Sequence, residues 1–185
     1  MRKIIHLDLD AFFCAVEERH DPALAGKCFA VGGAADRRGV VASCSYAARQ
    51  KGVRSAMPMA KAMRLCPELI RVHGTRSNYG LASRHVMSVL RRFTSTIQQI
   101  SVDEAFLDVS HVDGSMRSIG KQIQESVNKE TRLPCSLGIA SNKLVAKIAN
   151  DYGKSLYKGN KYPNALTVIE TGKEEEFLAP LPIRR

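Results

Sequence analysis

Asp103 and Glu104 stand side by side in Ser101-Val102-Asp103-Glu104, between two apolar stretches, Ile97 to Ile100 and Ala105-Phe106-Leu107-Asp108-Val109. A third acid, Asp8, closes the apolar run Lys3-Ile4-Ile5-His6-Leu7 near the N-terminus. Clustered carboxylates repel one another unless a cation lies between them, and a hard divalent ion such as Mg²⁺ takes oxygen ligands and leaves room for phosphate oxygens. The chemistry that suits such a cluster is two-metal phosphoryl or nucleotidyl transfer. An isolated Asp-Glu pair is more often an ordinary solvated turn. The catalytic reading therefore depends on elements that carry Asp8 to the other two acids.

Adjacent side chains on a strand point to opposite faces, so Asp103 and Glu104 can converge only where a tight turn breaks the alternation. A β-hairpin with acids at its tip meets that requirement. Residues 2 to 8 read as a buried strand and Ala11 to Arg19 as a helix, with Asp10 placed to cap it and Phe12 and Phe13 diverging, one to the core and one to the site. Cys28 to Gly33 and Gly39 to Cys44 read as a hairpin around Arg37 and Arg38. Ser45 then caps a short helix with Tyr46 and Arg49 on one face. A hydroxyl, a guanidinium and a helix N-terminus together suit a triphosphate, although an isolated Tyr-x-x-Arg is more often plain helix surface.

Further along, the spacing predicts a helix over Met59 to Leu65, a strand over Leu69 to His73, a long helix over 76 to 93, the central hairpin, an amphipathic helix over 116 to 129 and a strand over Cys135 to Ala140. Ser141 or Asn142 caps a helix on which Lys143, Lys147 and Lys154 share a face, and spacing alone favours a solvated lysine face there. A polar loop from Ser155 to Pro163, a strand from Asn164 to Ile169 and a short acidic helix from Gly172 to Leu178 follow. With residues 11 to 74 set aside as an insertion, the order is βαββαβ, the ferredoxin-like split unit, whose inner strand ends bring Asp8 beside the hairpin acids. The expected fold class is α+β: a ferredoxin-like βαββαβ unit with a small α/β insertion after its first strand.

The 185 residues are 44% hydrophobic and 25% charged, which excludes collagen-like and disordered classes. No apolar stretch approaches the ~18 residues of a membrane span, and acid follows the N-terminus too soon for a signal peptide, so a cytoplasmic protein with no membrane partner is expected. Cys14, Cys28, Cys44, Cys66 and Cys135 include no C-x-x-C pair and no histidine at ligand spacing, which argues for reduced core thiols and against a zinc site. A net charge of +10 favours a polyanionic partner, nucleic acid before membrane. The excess is spread evenly on both sides of Gly74.

Four separated segments, His6-Leu7-Asp8-Leu9-Asp10-Ala11-Phe12-Phe13, Ser43-x-x-Tyr46-x-x-Arg49, Gly52-Val53-Arg54-Ser55-Ala56-Met57-Pro58 and Ser101-Val102-Asp103-Glu104-Ala105-Phe106-Leu107-Asp108, resemble the motifs of the Y-family (translesion) DNA polymerases in order and spacing, nearest the DNA polymerase IV branch. The resemblance runs from residue 3 to about residue 154. It implies a palm of residues 1–10 and 75–170, fingers at 11–74, a thumb that starts within 171–185 and is truncated there, and no little finger. It also implies DNA-directed DNA synthesis, with Asp8, Asp103 and Glu104 catalytic as the side-chain ligands of two Mg²⁺ ions and the Leu9 carbonyl as a backbone ligand. Nucleotidyl transfer would run from a dNTP to a primer 3′-hydroxyl. Phe13 would be the steric gate against a 2′-hydroxyl, and Tyr46, Arg49 and Lys154 would grip the phosphates.

The implied partners are primer–template DNA, a dNTP and the replicative sliding clamp, whose usual binding tail would lie past residue 185. A catalytic fragment with a weak grip on DNA is the expected function. The alternative is a truncated, non-catalytic nucleic-acid-binding or partner-competing module on the same fold. Against an RNA-recognition module, the hairpin offers only Phe106 for stacking. Where the family often reads Lys-Pro and then a strand, this chain has Lys154-Ser155 and a longer loop through Lys158, Lys161 and Pro163, which leaves the path of that loop open.

Overall fold

β1 (Ile4–Leu9) is the central strand of the larger of two sheets, and the alternation of its side chains divides the molecule. After it come α1 (Phe12–His20), β2 (Phe29–Gly32), β3 (Val41–Cys44), α2 (Tyr46–Gln50), α3 (Met59–Leu65), β4 (Ile70–Val72), α4 (Arg76–Leu90), β5 (Ile97–Gln99), β6 (Glu104–Asp108), α5 (Met116–Thr131), β7 (Cys135–Ala140), α6 (Lys143–Leu156), β8 (Leu166–Val168) and α7 (Glu174–Leu178). The structure, a computed structural model, describes residues 2–182.

The larger sheet has the order β5-β6-β1-β7-β8, with β1 antiparallel to both β6 and β7. Without β8 this is the strand order of the ferredoxin-like unit, as the sequence implies. β8 pairs parallel with β7 and extends the sheet by one edge strand. The smaller sheet, β3-β2-β4, contains the expected hairpin, with β2 antiparallel to β3 and parallel to β4.

Ile5, Leu7 and Leu9 point to one face of the large sheet and share a core with Val86, Leu90, Ile119 and Ile123 of α4 and α5. Ile4 points the other way and packs with Val145, Ala146 and Ala149 of α6. By the same alternation His6 and Asp8 lie on the α6 face. Gly138, opposite His6 in the β1–β7 ladder, lets α6 approach: a Cβ there would sit 2.0 Å from the Ala146 carbonyl oxygen and 2.4 Å from the Asn150 nitrogen. Backbone contact between α6 and the sheet sets how closely the lysines of α6 approach the acids.

Two expectations need correction. α4 ends at Leu90 rather than at residue 93, because Arg92 and Phe93 tighten into three-residue-spaced bonds to the carbonyls of Val89 and Leu90. Asp10 does not cap α1. The residue before that helix is Ala11, in the left-handed region at φ 45°, and Asp10 turns inward. In the 171–185 segment, α7 docks on α6 through Phe177 and Tyr152, ring centroids 5.5 Å apart, while residues 183–185 of the expected thumb lie outside the described residues. Among the described residues no helix is long and apolar enough to cross a membrane.

Candidate active site

Register brings the acids together. Asp8 lies directly opposite Glu104 in the β1–β6 ladder, and the Leu9 amide donates to the Asp103 carbonyl at 3.0 Å. Asp103 sits in the turn just before β6, where the alternation is broken. Ser101 shapes that turn. Its hydroxyl donates to Asp103 Oδ1 at 2.6 Å and accepts from the Asp103 and Glu104 amides at 3.3 and 3.1 Å.

α6 supplies positive charge to the cluster. Lys154 Nζ donates to Asp8 Oδ1 at 2.7 Å, Lys147 Nζ donates to Glu104 Oε2 at 3.0 Å, and Lys143 reaches Gln98 on β5 at 2.5 Å. The three lysines do share a face, but that face looks at the acid hairpin and not simply at solvent. Burial pushes the Asp8 carboxyl up to about 7 against the pull of Lys154, with the charges of Asp103 and Glu104 adding to the rise. Partial burial pushes Glu104 the same way, yet the Lys147 ammonium holds it below the usual carboxylate range.

His6 and Asn150 back this wall. The Asn150 amide nitrogen donates to the Ser136 carbonyl at 3.0 Å and the His6 carbonyl at 3.3 Å, which fixes the orientation of the amide. The same nitrogen faces His6 Nδ1 at 3.0 Å, so the imidazole proton belongs on Nε2, which points at Glu104 Oε2 3.8 Å away. Burial and the nearby Lys147 charge lower the His6 pKa to about 4, keeping the ring neutral. Asp10, 1% exposed, accepts from the Ser136 hydroxyl at 2.9 Å and from the Asn164 amide at 3.1 Å. It ties the strand-to-helix turn to β7 and to the segment before β8.

In front of the acids lies a cleft of about 640 Å³. Asp8, Asp103 and Lys154 line one side, Tyr46 and Arg49 the other, and Phe13 lies between. Leu9 also lines it, whereas Glu104 sits behind Asp103 on the Lys147 side. Phe12 is 3% exposed and belongs mainly to the core, so the two phenylalanines diverge as expected. Phe13 is backed by Tyr79, ring centroids 4.3 Å apart, and the Tyr79 hydroxyl donates to Glu17 at 2.5 Å.

Both ends of α2 are secured. The Ser45 hydroxyl accepts from the Ala48 and Phe29 amides at 3.2 and 3.1 Å, and Arg54 donates to the carbonyls of Arg49 and Val53 at 2.5 and 2.7 Å. The Arg49 guanidinium carbon lies 4.8 Å from the centre of the Tyr46 ring. The path of the 155–163 loop is now defined: Tyr157 and Tyr162 pack edge-on against Tyr46, and Gln50 donates to the Lys158 carbonyl at 3.2 Å. The loop therefore crosses to the smaller sheet's side of the cleft and braces α2.

Of the residues expected from sequence, Asp8, Leu9, Asp103, Phe13, Tyr46, Arg49 and Lys154 line this cleft, while Glu104 does not and instead pairs with Lys147 opposite Asp8. The sequence reading assigned no role to Arg54, Ser55, Asp151 or Ser155, which also line the cleft, nor to Tyr79 behind Phe13. Arg54 and Ser55 did fall within a quoted motif, so their signal was present but carried no chemistry.

Residues 7–151 match the model of the impB/mucB/samB family. The chain belongs to this family. It is 46% identical over 187 residues to the DNA polymerase IV of Pseudomonas syringae pv. tomato and 45% identical over 188 residues to that of Pseudomonas aeruginosa PAO1, covering 100% of this chain in each case. The match takes in 51% and 52% of those relatives, so the chain spans about half the length of the curated relatives it matches. Among solved structures it resembles DinB from Sulfolobus solfataricus at TM-score 0.86 and 33% identity, over 95% of this chain and 50% of that one. An insertion ternary complex of Dbh DNA polymerase superposes at TM-score 0.88 and 33% identity, over 98% and 52%. The Y-family recognition made from the four motifs therefore holds, and the α+β fold is that of these polymerases.

Proposed function

We propose that this chain provides the catalytic and nucleotide-binding portion of a translesion DNA polymerase, with palm at 1–10 and 75–170 and fingers at 11–74. The observation that carries the reading is the pairing of Asp8 with Glu104 across adjacent central strands, with Asp103 beside them, at the edge of a cleft whose far wall holds Tyr46 and Arg49. The donor set is all oxygen, three carboxylates and the Leu9 carbonyl, which fits Mg²⁺ and is poorly suited to softer ions. Two Mg²⁺ ions held there would acidify a primer 3′-hydroxyl and neutralise a triphosphate.

The chain's own groups orient the substrate. Tyr46, Arg49 and Lys154 hold the phosphates, Arg49 by paired donors and Lys154 by exchanging Asp8 for a phosphate oxygen. Phe13, pressed from behind by Tyr79, presents its ring to the sugar and excludes a 2′-hydroxyl. The neutral His6 ring lies on the buried side of Glu104, its Nε2 3.8 Å from Glu104 Oε2. Primer–template DNA, a dNTP and the sliding clamp are the partners this reading assigns to the whole polymerase, in the cytoplasm. Spread positive charge suits the phosphate backbone.

The test is Mg²⁺-dependent dNTP binding and primer extension at low salt, with Asp103→Ala beside the unmodified protein. Loss of both in the variant, with its thermal transition intact, is the expected result. Unchanged Mg²⁺-dependent binding after that substitution would overturn the assignment.

A further inference from the structure

Away from the cleft, the smaller sheet brings Cys28 to two groups that lie far along the chain, Cys66 and Glu68. Cys28 immediately precedes β2, Cys66 closes α3, and Glu68 lies in the turn that leads into β4. β2 and β4 run parallel with Phe29 opposite Ile70, and the Ile70 amide donates to the Cys28 carbonyl at 2.9 Å. The two thiol sulfurs and a Glu68 carboxylate oxygen all lie within 4.8 Å of one another. The sequence reading argued against a zinc site because no Cys or His stood at ligand spacing. Here the third donor is a carboxylate, and the second thiol comes from the end of α3, beside the start of β2.

We propose that Cys28, Cys66 and Glu68 form a binding site for one thiophilic divalent cation, with Zn²⁺ the reference ion. A tetrahedral zinc ion with Zn–S near 2.3 Å and Zn–O near 2.0 Å needs donors about 3.5–3.8 Å apart, so the three groups need close by at most about 1 Å. Both cysteines are anchored through their backbones: the Cys66 amide donates to the Ala62 carbonyl at 3.0 Å and its carbonyl accepts from Leu69 at 2.9 Å. The exposed Glu68 side chain is the adaptable donor, now 3.8 Å from Lys51. Two thiolates select a borderline ion over Mg²⁺ and Ca²⁺, and three protein ligands leave one position for water.

Both sulfurs bind the ion as thiolates, and burial and the adjacent Cys28 thiol push the Cys66 thiol up to about 12. Binding must then release two protons to solvent: Zn²⁺ and two S–H groups give two Zn–S bonds and two H⁺, with no change in oxidation state. Affinity should accordingly rise with pH, by up to about 100-fold per unit where two protons are released. A bound ion would pin the α3–β4 turn to the start of β2, tightening the small sheet whose next element, α2, carries Tyr46 and Arg49.

The test is Co²⁺ titration of the chelator-treated, thiol-reduced protein, with Zn²⁺ as competitor, and with Cys28→Ser, Glu68→Gln and Asp103→Asn variants alongside. One equivalent of Co²⁺ should produce sulfur-to-cobalt charge-transfer absorption in the near ultraviolet, which Zn²⁺ abolishes. Cys28→Ser should remove the band. Glu68→Gln, at an exposed position that folding tolerates, should weaken binding by at least the ~10–100-fold that loss of an outer-shell partner costs. Asp103→Asn should leave band and affinity unchanged, separating this site from the carboxylate cluster. No charge-transfer band in excess Co²⁺, a band that survives Cys28→Ser, or an affinity indifferent to pH would overturn the proposal.

Discussion

Asp8 and Glu104 face one another on neighbouring strands of a five-stranded sheet, whereas Tyr46 and Arg49 ride on a five-residue helix beside a three-stranded one. On the acid wall, Asp8 and Glu104 are set by ladder register and by α6 pressed onto Gly138, and Asp103 by the turn that Ser101 shapes. A one-residue slip would turn His6 and Asp8 to the opposite face. On the phosphate wall, position depends on local devices: the Ser45 cap, the Arg54 bonds and the tyrosines of the 155–163 loop. Substitutions in the acid wall should therefore couple chemistry to stability, and those in the phosphate wall should change affinity with little effect on folding.

The largest effect expected is on the acid wall. Asp103→Asn should lower Mg²⁺-dependent primer extension by roughly 10²–10³-fold or more, the scale of losing one preorganised charged group at a reacting centre. Steady-state extension kinetics would measure it, and a loss below tenfold would remove Asp103 from the machinery. Next is Gly138→Ala, which forces α6 off the sheet. Overpacking of this kind costs about 1–3 kcal/mol, and at about 2–4 °C per kcal/mol for a chain of this size the thermal midpoint should drop several degrees. Nucleotide affinity should fall with it, because Lys154 moves with the helix; a fall in melting temperature at unchanged affinity would break the proposed coupling.

A pH experiment sharpens the same contrast. The Asp8 carboxyl is raised to about 7 in the folded protein, so protonated Asp8 favours the native state below its ordinary pKa, and that contribution is lost as pH rises through about 7. In chelator, Asp8→Asn should match the unmodified protein near pH 4 and become the more stable of the two as pH approaches 8, by up to about 4 kcal/mol. Urea unfolding at several pH values would show it, and parallel stability curves would contradict the burial argument.

The smallest effects belong to the phosphate wall. Arg49→Lys should weaken triphosphate binding about tenfold through loss of paired donors, while moving the melting temperature by less than about 2 °C. Phe13→Val should lower discrimination between dNTP and NTP by about tenfold or more, with deoxynucleotide incorporation largely kept. If Arg49→Lys unfolds the protein as readily as Gly138→Ala, the two walls are not built differently after all.

Much of the cleft was legible beforehand because its signals are local. The hairpin with acids at its tip, the Ser45 cap and the divergence of Phe12 from Phe13 each follow from spacing over a few residues. Asp10 was misread because a helix cap and an inward anchor present the same residue type one step before a helix; only Ser136 and Asn164, far along the chain, decide between them. For the lysines of α6, spacing alone favours a solvated face, because it shows that they share a face but not what that face meets.

The sequence by itself determined the order of elements, which side of β1 carries Asp8, and a family membership written in four short motifs, because alternation, helical period and turn chemistry act between near neighbours. Tertiary structure alone decided that Lys154 meets Asp8 and Lys147 meets Glu104, that Tyr162 braces Tyr46, and that Cys28 reaches Cys66 and Glu68. Those pairings depend on strand register and on how closely a helix can approach a glycine, and both are set by packing of the whole chain.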